Sequence, residues 1–148
     1  MEEQEQLYNL LKQVFLLLDF GDRQLLARYD LTVPRYYTLY HLAETPGLTL
    51  SQLSERLFCD KSNITRIFRG LEEKRLVCRR SHESDGRSLR CYLTEEGTAV
   101  LPQVMQAHQK YNQNRLCCLN DRQQNNLLES LTILTQKLQV LNFQDSES

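Results

Sequence analysis

The sequence predicts a mainly α fold with a small β-hairpin wing: a winged helix-turn-helix with a long helical segment on either side. Three observations predict it. Residues Thr49 to Arg75 divide into two short helical patterns joined by a tight break. Two short strand patterns follow at Leu76 to Arg80 and Leu89 to Leu93, with the turn dipeptide Asp85-Gly86 between them. The remaining chain on both sides carries apolar residues at helical spacing.

In the first short helix Leu50, Leu53 and Leu57 share one face, and Ser51 is the expected N-cap. After Phe58-Cys59-Asp60 a second helix starts, with Asp60 or Ser62 as its cap and Ile64, Ile67, Phe68 and Leu71 as its buried stripe. Its opposite face carries Lys61, Ser62, Asn63, Thr65, Arg66 and Arg69. An apolar back with a short, polar, basic front suits the major groove of DNA, where amide and guanidinium groups meet base edges. Any αα-corner buries apolar faces the same way, so this pattern alone does not decide between a reading head and two packed core helices.

The hairpin decides it. A basic hairpin directly after such a helix makes a wing, and Arg87 near its tip suits the enhanced negative potential of a narrow minor groove. Between Lys61 and Arg90 there are nine Lys/Arg against four Asp/Glu, a net charge of +5, whereas the 148-residue chain is −1. Positive charge gathered on one predicted surface of a near-neutral protein is the footprint of phosphate binding. Within it Asp85 is expected to orient the Arg87 guanidinium, and Arg79, Arg80 and Arg90 to serve as phosphate or structural partners.

The run Leu53, Ser62-Asn63-Ile64-Thr65-Arg66, Leu71-Glu72, Leu76-Val77, Arg79-Arg80, Asp85-Gly86-Arg87 and Leu93-Thr94-Glu95-Glu96-Gly97 resembles the MarR family of bacterial transcriptional regulators. The wing-tip Asp-x-Arg and the Leu-Thr-x-x-Gly that closes the second strand are its most specific parts. The resemblance extends over essentially the whole chain. It implies a cytoplasmic homodimer that binds palindromic operators, usually as a repressor, and often releases DNA on binding a small molecule or on thiol oxidation. The DNA-binding residues it supports are Lys61, Ser62, Asn63, Thr65, Arg66, Arg69, Asp85, Arg87 and Arg90.

The elements now follow in order. A chain of 148 residues fits one domain, with about 32–94 as the reading lobe and about 5–29 and 95–143 as a helical dimerisation region. The first helix, about Glu5 to Tyr29, has an apolar face too broad for one partner, and Gly21 is a candidate kink or early end. The second helix takes Thr32 as cap and Pro34 in its first turn, runs to about Glu44 and stops at Pro46-Gly47. The resemblance implies an effector site between this helix, the first helix and the wing-helix lobe, which makes Tyr36, Tyr37, Tyr40 and His41 candidates for a pocket for a phenolic or amphipathic ligand, against a plainer role as boundary residues with satisfied hydroxyls.

After the wing, Thr94 caps a long helix to about Leu116, with a kink expected at Pro102. The last helix opens at Asn120 with Gln123 as its capping-box partner. Leu127, Leu131, Leu134, Leu138 and Leu141 then form a near-heptad seam that a second subunit would bury. The tail from Gln144 reads as disordered.

With 41% hydrophobic and 25% charged residues and no apolar run long enough to span a bilayer, the composition is that of a soluble protein without a membrane partner. Five cysteines without a secretory signal point to a reducing compartment. Cys59, at what reads as a buried turn position, and Cys78 and Cys91, expected nearly opposite each other on the wing strands, are the candidate redox residues. Free cysteine more often packs as a small hydrophobe. No Cys-x-x-Cys occurs and His41, His82 and His108 are scattered, so no metal or cofactor is expected. There is no phosphate-cradling glycine loop and no nucleophile with a recognisable base, which argues against an enzyme. A protein-interaction module would present an apolar surface rather than an arginine cluster.

Overall fold

The structure, a computed structural model, describes residues 1–82 and 85–144; the side chains of 82, 85–87, 143 and 144 lie outside that description. Among the described residues six helices and one hairpin follow in the order α1 (Glu2–Ala27), α2 (Val33–Glu44), α3 (Leu50–Leu57), α4 (Lys61–Glu73), β1 (Val77–His82), β2 (Asp85–Leu93), α5 (Glu95–Leu116) and α6 (Asp121–Gln144). None of these helices is long and apolar enough to cross a membrane. Contacts divide the chain into two compact units, 1–108 and 109–148, so the boundary falls within α5.

The first unit holds the core. Phe68, Ile64 and Leu71 of α4, Leu53 of α3, Leu39 and Leu42 of α2, Leu26 of α1 and Val104 of α5 are all essentially sealed from solvent. Each such side chain contributes about 1.5–3 kcal/mol by leaving water. The predicted stripe on α4 is the observed one, and Gly70 joins it. α2 lies against α1, α3, α4 and β2, which makes it the hub of the lobe.

Three local predictions need correction. The cap of α3 is Thr49, not Ser51: Gln52 N–H donates to Thr49 Oγ1 at 3.1 Å and Thr49 N–H to Gln52 Oε1 at 2.9 Å. A Thr-x-x-Gln box satisfies two orphan amides reciprocally and draws Leu50 into the first turn, which a cap at Ser51 would exclude. Gly21 does not end α1 early; it is buried within a helix that continues to Ala27. The Asp85-Gly86 pair opens β2, with Asp85 facing His82 in the register, so it belongs to a strand.

The hairpin register pairs Cys78 with Tyr92 and Arg79 with Cys91. Directly opposed residues share a face and neighbours alternate, so Cys78 and Cys91 occupy opposite faces of the wing rather than facing each other. β2 has a second neighbour that no sequence pattern announces. Cys91 N–H donates to Leu48 O at 2.8 Å and Gly47 N–H to Cys91 O at 3.0 Å. Gly47 makes this turn with φ +85°, and its bare Cα lies against the Tyr92 ring.

Thr94 joins the wing to α5. Its hydroxyl donates to Arg75 O at 2.6 Å and accepts from Gly97 N–H at 3.0 Å, while its own N–H donates to Leu76 O at 3.1 Å. That is the expected cap, and it explains the Leu-Thr-x-x-Gly spacing: a Cβ on Gly97 would collide with the Leu76 carbonyl oxygen.

In the second unit the predicted capping box closes α6, Asn120 N–H to Gln123 Oε1 and Gln123 N–H to Asn120 Oδ1, both at 3.0 Å. Gln124 Nε2 also donates to Leu119 O at 2.8 Å, fastening the start of α6 to the preceding turn. Leu127, Leu131, Leu138 and Leu141 of the seam are exposed, as are Leu128, Ile133 and Val140. On α1, in the first unit, only the C-terminal part contributes to the core; Leu7, Leu10, Val14, Phe15, Leu16 and Leu17 all face solvent.

Candidate nucleic-acid interface

α4 is launched by Asp60, whose Oδ1 accepts from Asn63 N–H at 2.7 Å and from the Ser62 hydroxyl at 2.8 Å. The Asn63 amide, then the Ser62 hydroxyl, hold this carboxyl below its ordinary range. Between Asp60 and the buried stripe, Lys61, Ser62, Arg66 and Arg69 are exposed, with Asn63 and Thr65 half-buried beside them. All six predicted α4 residues therefore fall on the accessible side of one helix.

Their side chains are not equally committed. Thr65 Oγ1 donates to Lys61 O at 2.7 Å, within the helix. Arg66 Nη2 donates to Asn63 Oδ1 at 2.9 Å, which presents an amide and a guanidinium side by side. Among the described residues neither Lys61 nor Arg69 is engaged in an ion pair. Lys61 and Arg69 are thus available for phosphate or base contact.

The basic residues of the wing root have structural duties. Arg79 is bidentate to Glu72, Nε to Oε1 at 2.9 Å and Nη2 to Oε2 at 3.1 Å, and lies over the Phe68 ring at 5.1 Å. Arg80 packs over Tyr92 at 5.2 Å. Arg90 turns inward and donates to Gly47 O at 3.3 Å, which ties the wing to the loop between α2 and α3. Lys74 pairs with Asp30. The side chains of Asp85 and Arg87, the predicted wing-tip pair, lie outside the described residues; their backbone runs in β2.

The predicted tyrosine group forms a ring cluster that reaches further than the sequence indicated. Tyr36 is buried and lies 5.2 Å from Tyr37, 6.4 Å from Tyr40 and 5.0 Å from His108 of α5. Burial, then the neighbouring Tyr37, Tyr40 and Asp22, push its hydroxyl up to about 12. His108 Nε2 meets Asp22 Oδ1 at 3.2 Å, a buried pair joining α1 to α5 that nothing in the spacing foretold. Tyr40 donates to Glu44 at 2.8 Å, and burial lowers the basicity of His41. Of the four predicted pocket residues, Tyr37 alone borders the cavity of about 320 Å³ found between the start of α2 and the α3–α4 turn.

The cysteines are distributed rather than clustered. Cys91 is sealed in the core and burial pushes its thiol up to about 11; burial likewise raises the half-buried Cys59. Only Cys117 and Cys118 are exposed.

With this geometry in place, comparison with known proteins shows what the reading lobe is similar to. The sequence model of the MarR family matches residues 29–88, the stretch from the end of the first helix to the wing. Over that stretch the chain is similar to MarR-family proteins. The HTH-type transcriptional regulator SarZ of Staphylococcus aureus strain USA300 is 37% identical over 75 residues, 51% of each chain. The chain therefore spans about half the length of the curated relatives it matches. A MarR family protein from Bacillus stearothermophilus superposes with a TM-score of 0.79 at 25% identity, covering 93% of this chain and 96% of that one. The MarR-type fold is shared at lower identity with S. aureus MepR, solved in complex with DNA (TM-score 0.77, 21% identity, 87% and 94% covered). In MarR terms α3 and α4 are the helix-turn-helix, β1 and β2 the wing.

Proposed function

We propose that this chain is a transcriptional regulator that binds double-stranded DNA sequence-specifically. It acts as a homodimer on a palindromic operator in the repressor manner of the MarR family it resembles, within the cytoplasm, and a small amphipathic effector releases it. The carrying observation is the α4 surface, where exposed Lys61, Ser62, Arg66 and Arg69 back onto a fully buried Ile64, Phe68 and Leu71 stripe. A helix so anchored offers a rigid polar ridge of the width the major groove admits. The MepR complex with DNA supports the same reading by likeness of fold.

Support for a dimer comes from the two outer helices. α1 and α6 each carry a row of leucines and other large apolar groups in the open, more than a lone soluble chain would leave. A twofold pair would cover them and set two α4 helices about one DNA turn apart, roughly 34 Å.

The test is a fluorescence-anisotropy titration of a captured operator at two salt concentrations, with wild type and Arg87→Ala. Loss of affinity and a shallower salt dependence in the variant support the wing assignment. Identical curves overturn it.

A further inference from the structure

α2 brings a basic residue to the edge of α4 that neither the α4 face nor the wing includes. Arg35 stands in the first turn of α2, where its amide donates to Thr32 Oγ1 at 3.4 Å and Pro34 presets the backbone. The next residue, Tyr36, is buried, and the Thr38 hydroxyl bonds back to Pro34 O at 2.8 Å. The start of α2 is thereby fixed, and Arg35 leaves it half-buried. Its guanidinium lies against Gly70 of α4. A Cβ built on Gly70 would stand 2.7 Å from Arg35 Cζ and 3.0 Å from Nε, and closer still to Nη2.

Two features set this contact apart from ordinary packing. Gly70 is in the interior of α4, where glycine weakens a helix relative to any side chain with good helix propensity. The gap that admits the guanidinium is thus held open at the expense of the helix it borders. The second feature is the unspent charge. Asp30, whose carboxylate lies within the field of Arg35, is committed to Lys74. Among the described residues Arg35 makes no ion pair, and its side-chain donors have no partner. A half-buried guanidinium in that state has lost part of its hydration without a counter-charge, which an incoming anion would supply.

From this juxtaposition we infer that Arg35, seated across Gly70, clamps a phosphate of the DNA backbone at the edge of the groove that α4 enters. Gly70 follows Arg66 by four residues, one helical turn, so the guanidinium from α2 lies along the same edge of α4 as Arg66. It approaches the helix flank from outside, where backbone rather than base edges would meet it. A planar fork suits two phosphate oxygens, and such a contact fixes the docking of α4 without adding sequence information. Gly70 acts as a positioning residue: it touches no DNA, and its lack of a side chain sets where Arg35 can lie. The inference rests on α4 being the DNA-reading element.

The experiment uses the full chain and two DNA probes, the captured operator and a mixed-sequence duplex of the same length, titrated over a series of salt concentrations. Arg35→Gln is expected to weaken binding to both probes by a similar factor, about fivefold, and to lower the salt slope by about one per half-site. Its urea midpoint should stay at the wild-type value. Gly70→Ala keeps every charge but displaces the guanidinium, and it should weaken binding by about threefold or more, on the same phosphate-contact reasoning. In the Arg35→Gln background Gly70→Ala should have no further effect on affinity, since the group it displaces is already gone. Unchanged affinity and slope in Arg35→Gln, a loss confined to the operator, or additive effects of the two substitutions would overturn the clamp while wild-type binding still stands. Wild-type protein that binds neither probe sinks the DNA reading itself, and the clamp with it.

Discussion

Arg79 grips Glu72 through both arms of its guanidinium, at 2.9 and 3.1 Å, and so fastens the first wing strand to the last turn of α4. The pair is under one-third exposed and its arginine also covers Phe68. Its role is structural, in contrast with Arg69, one turn earlier on the open face.

The two arginines should therefore separate in mutagenesis. Arg79→Ala is expected to lower stability by about 1 kcal/mol in urea unfolding. Arg69→Ala should leave the unfolding midpoint unchanged while weakening DNA binding and reducing the salt slope by about one. A stability loss in Arg69→Ala of the same size as in Arg79→Ala contradicts the division.

Gly97 admits no side chain because the Leu76 carbonyl oxygen occupies the place of its Cβ. Backbone on both sides of the collision cannot swing aside as a flexible side chain could. Gly97→Ala should cost about 1–3 kcal/mol, read as a drop in the urea midpoint. At Gly70 the same substitution meets only the Arg35 guanidinium, which can move, so its cost should be smaller.

Asp60 gives a pH signature. Its carboxyl is held below its ordinary value of 3.8 in the folded chain, by Asn63 N–H first and Ser62 second. A lowered folded value means the charge adds stability that is fully present above the unfolded value and is lost as pH falls through the folded one. The thermal midpoint of wild type should exceed that of Asp60→Asn at neutral pH, and the gap should close below about pH 4. A gap that persists unchanged at lower pH contradicts the assignment.

Cys78 and Cys91 lie on opposite faces of the hairpin, and the Cys91 thiol, pushed up to about 11, is almost wholly protonated at neutral pH. Treatment of the folded protein with diamide should yield no Cys78–Cys91 disulfide in non-reducing peptide mapping. Cys117 and Cys118 should react with alkylating agents well before Cys91. A Cys78–Cys91 bond formed without unfolding would restore the wing to the redox candidates.

Much of the lobe was legible because its signals are local. The α4 stripe follows from spacing alone, Thr32 and Asn120 are caps with their partners three residues away, and Thr94 stands where a strand must become a helix. The failures also have local causes. Thr49 and Ser51 compete for the same helix start, and only the reciprocal bond to Gln52 separates them. The strength of Asp-Gly as a turn signal hides the place of that pair in β2, and a register offset of one residue puts Cys78 and Cys91 on different faces. What could not be read at all is non-local: the Asp22–His108 pair spans 86 positions, and the Leu48 bridge to Cys91 spans 43. Tyrosine spacing indicated a cluster, but its closing member, His108, lies on another helix.

The outer helices carry the assembly claim. Replacing Leu131 and Leu138 together with arginine should convert a dimer to a monomer in sedimentation velocity while leaving the reading lobe folded. Such a monomer should lose affinity for a two-half-site operator far more than for a single half-site. A wild-type chain that sediments as a monomer at micromolar concentration contradicts the dimer outright.

The most direct measurement is capture of genomic DNA fragments by the purified chain at moderate salt, followed by sequencing. A single enriched inverted repeat, with half-site centres about ten base pairs apart, is the expected result. Salt-sensitive binding without an enriched sequence, or no binding at all, would contradict α4 as a sequence-reading helix.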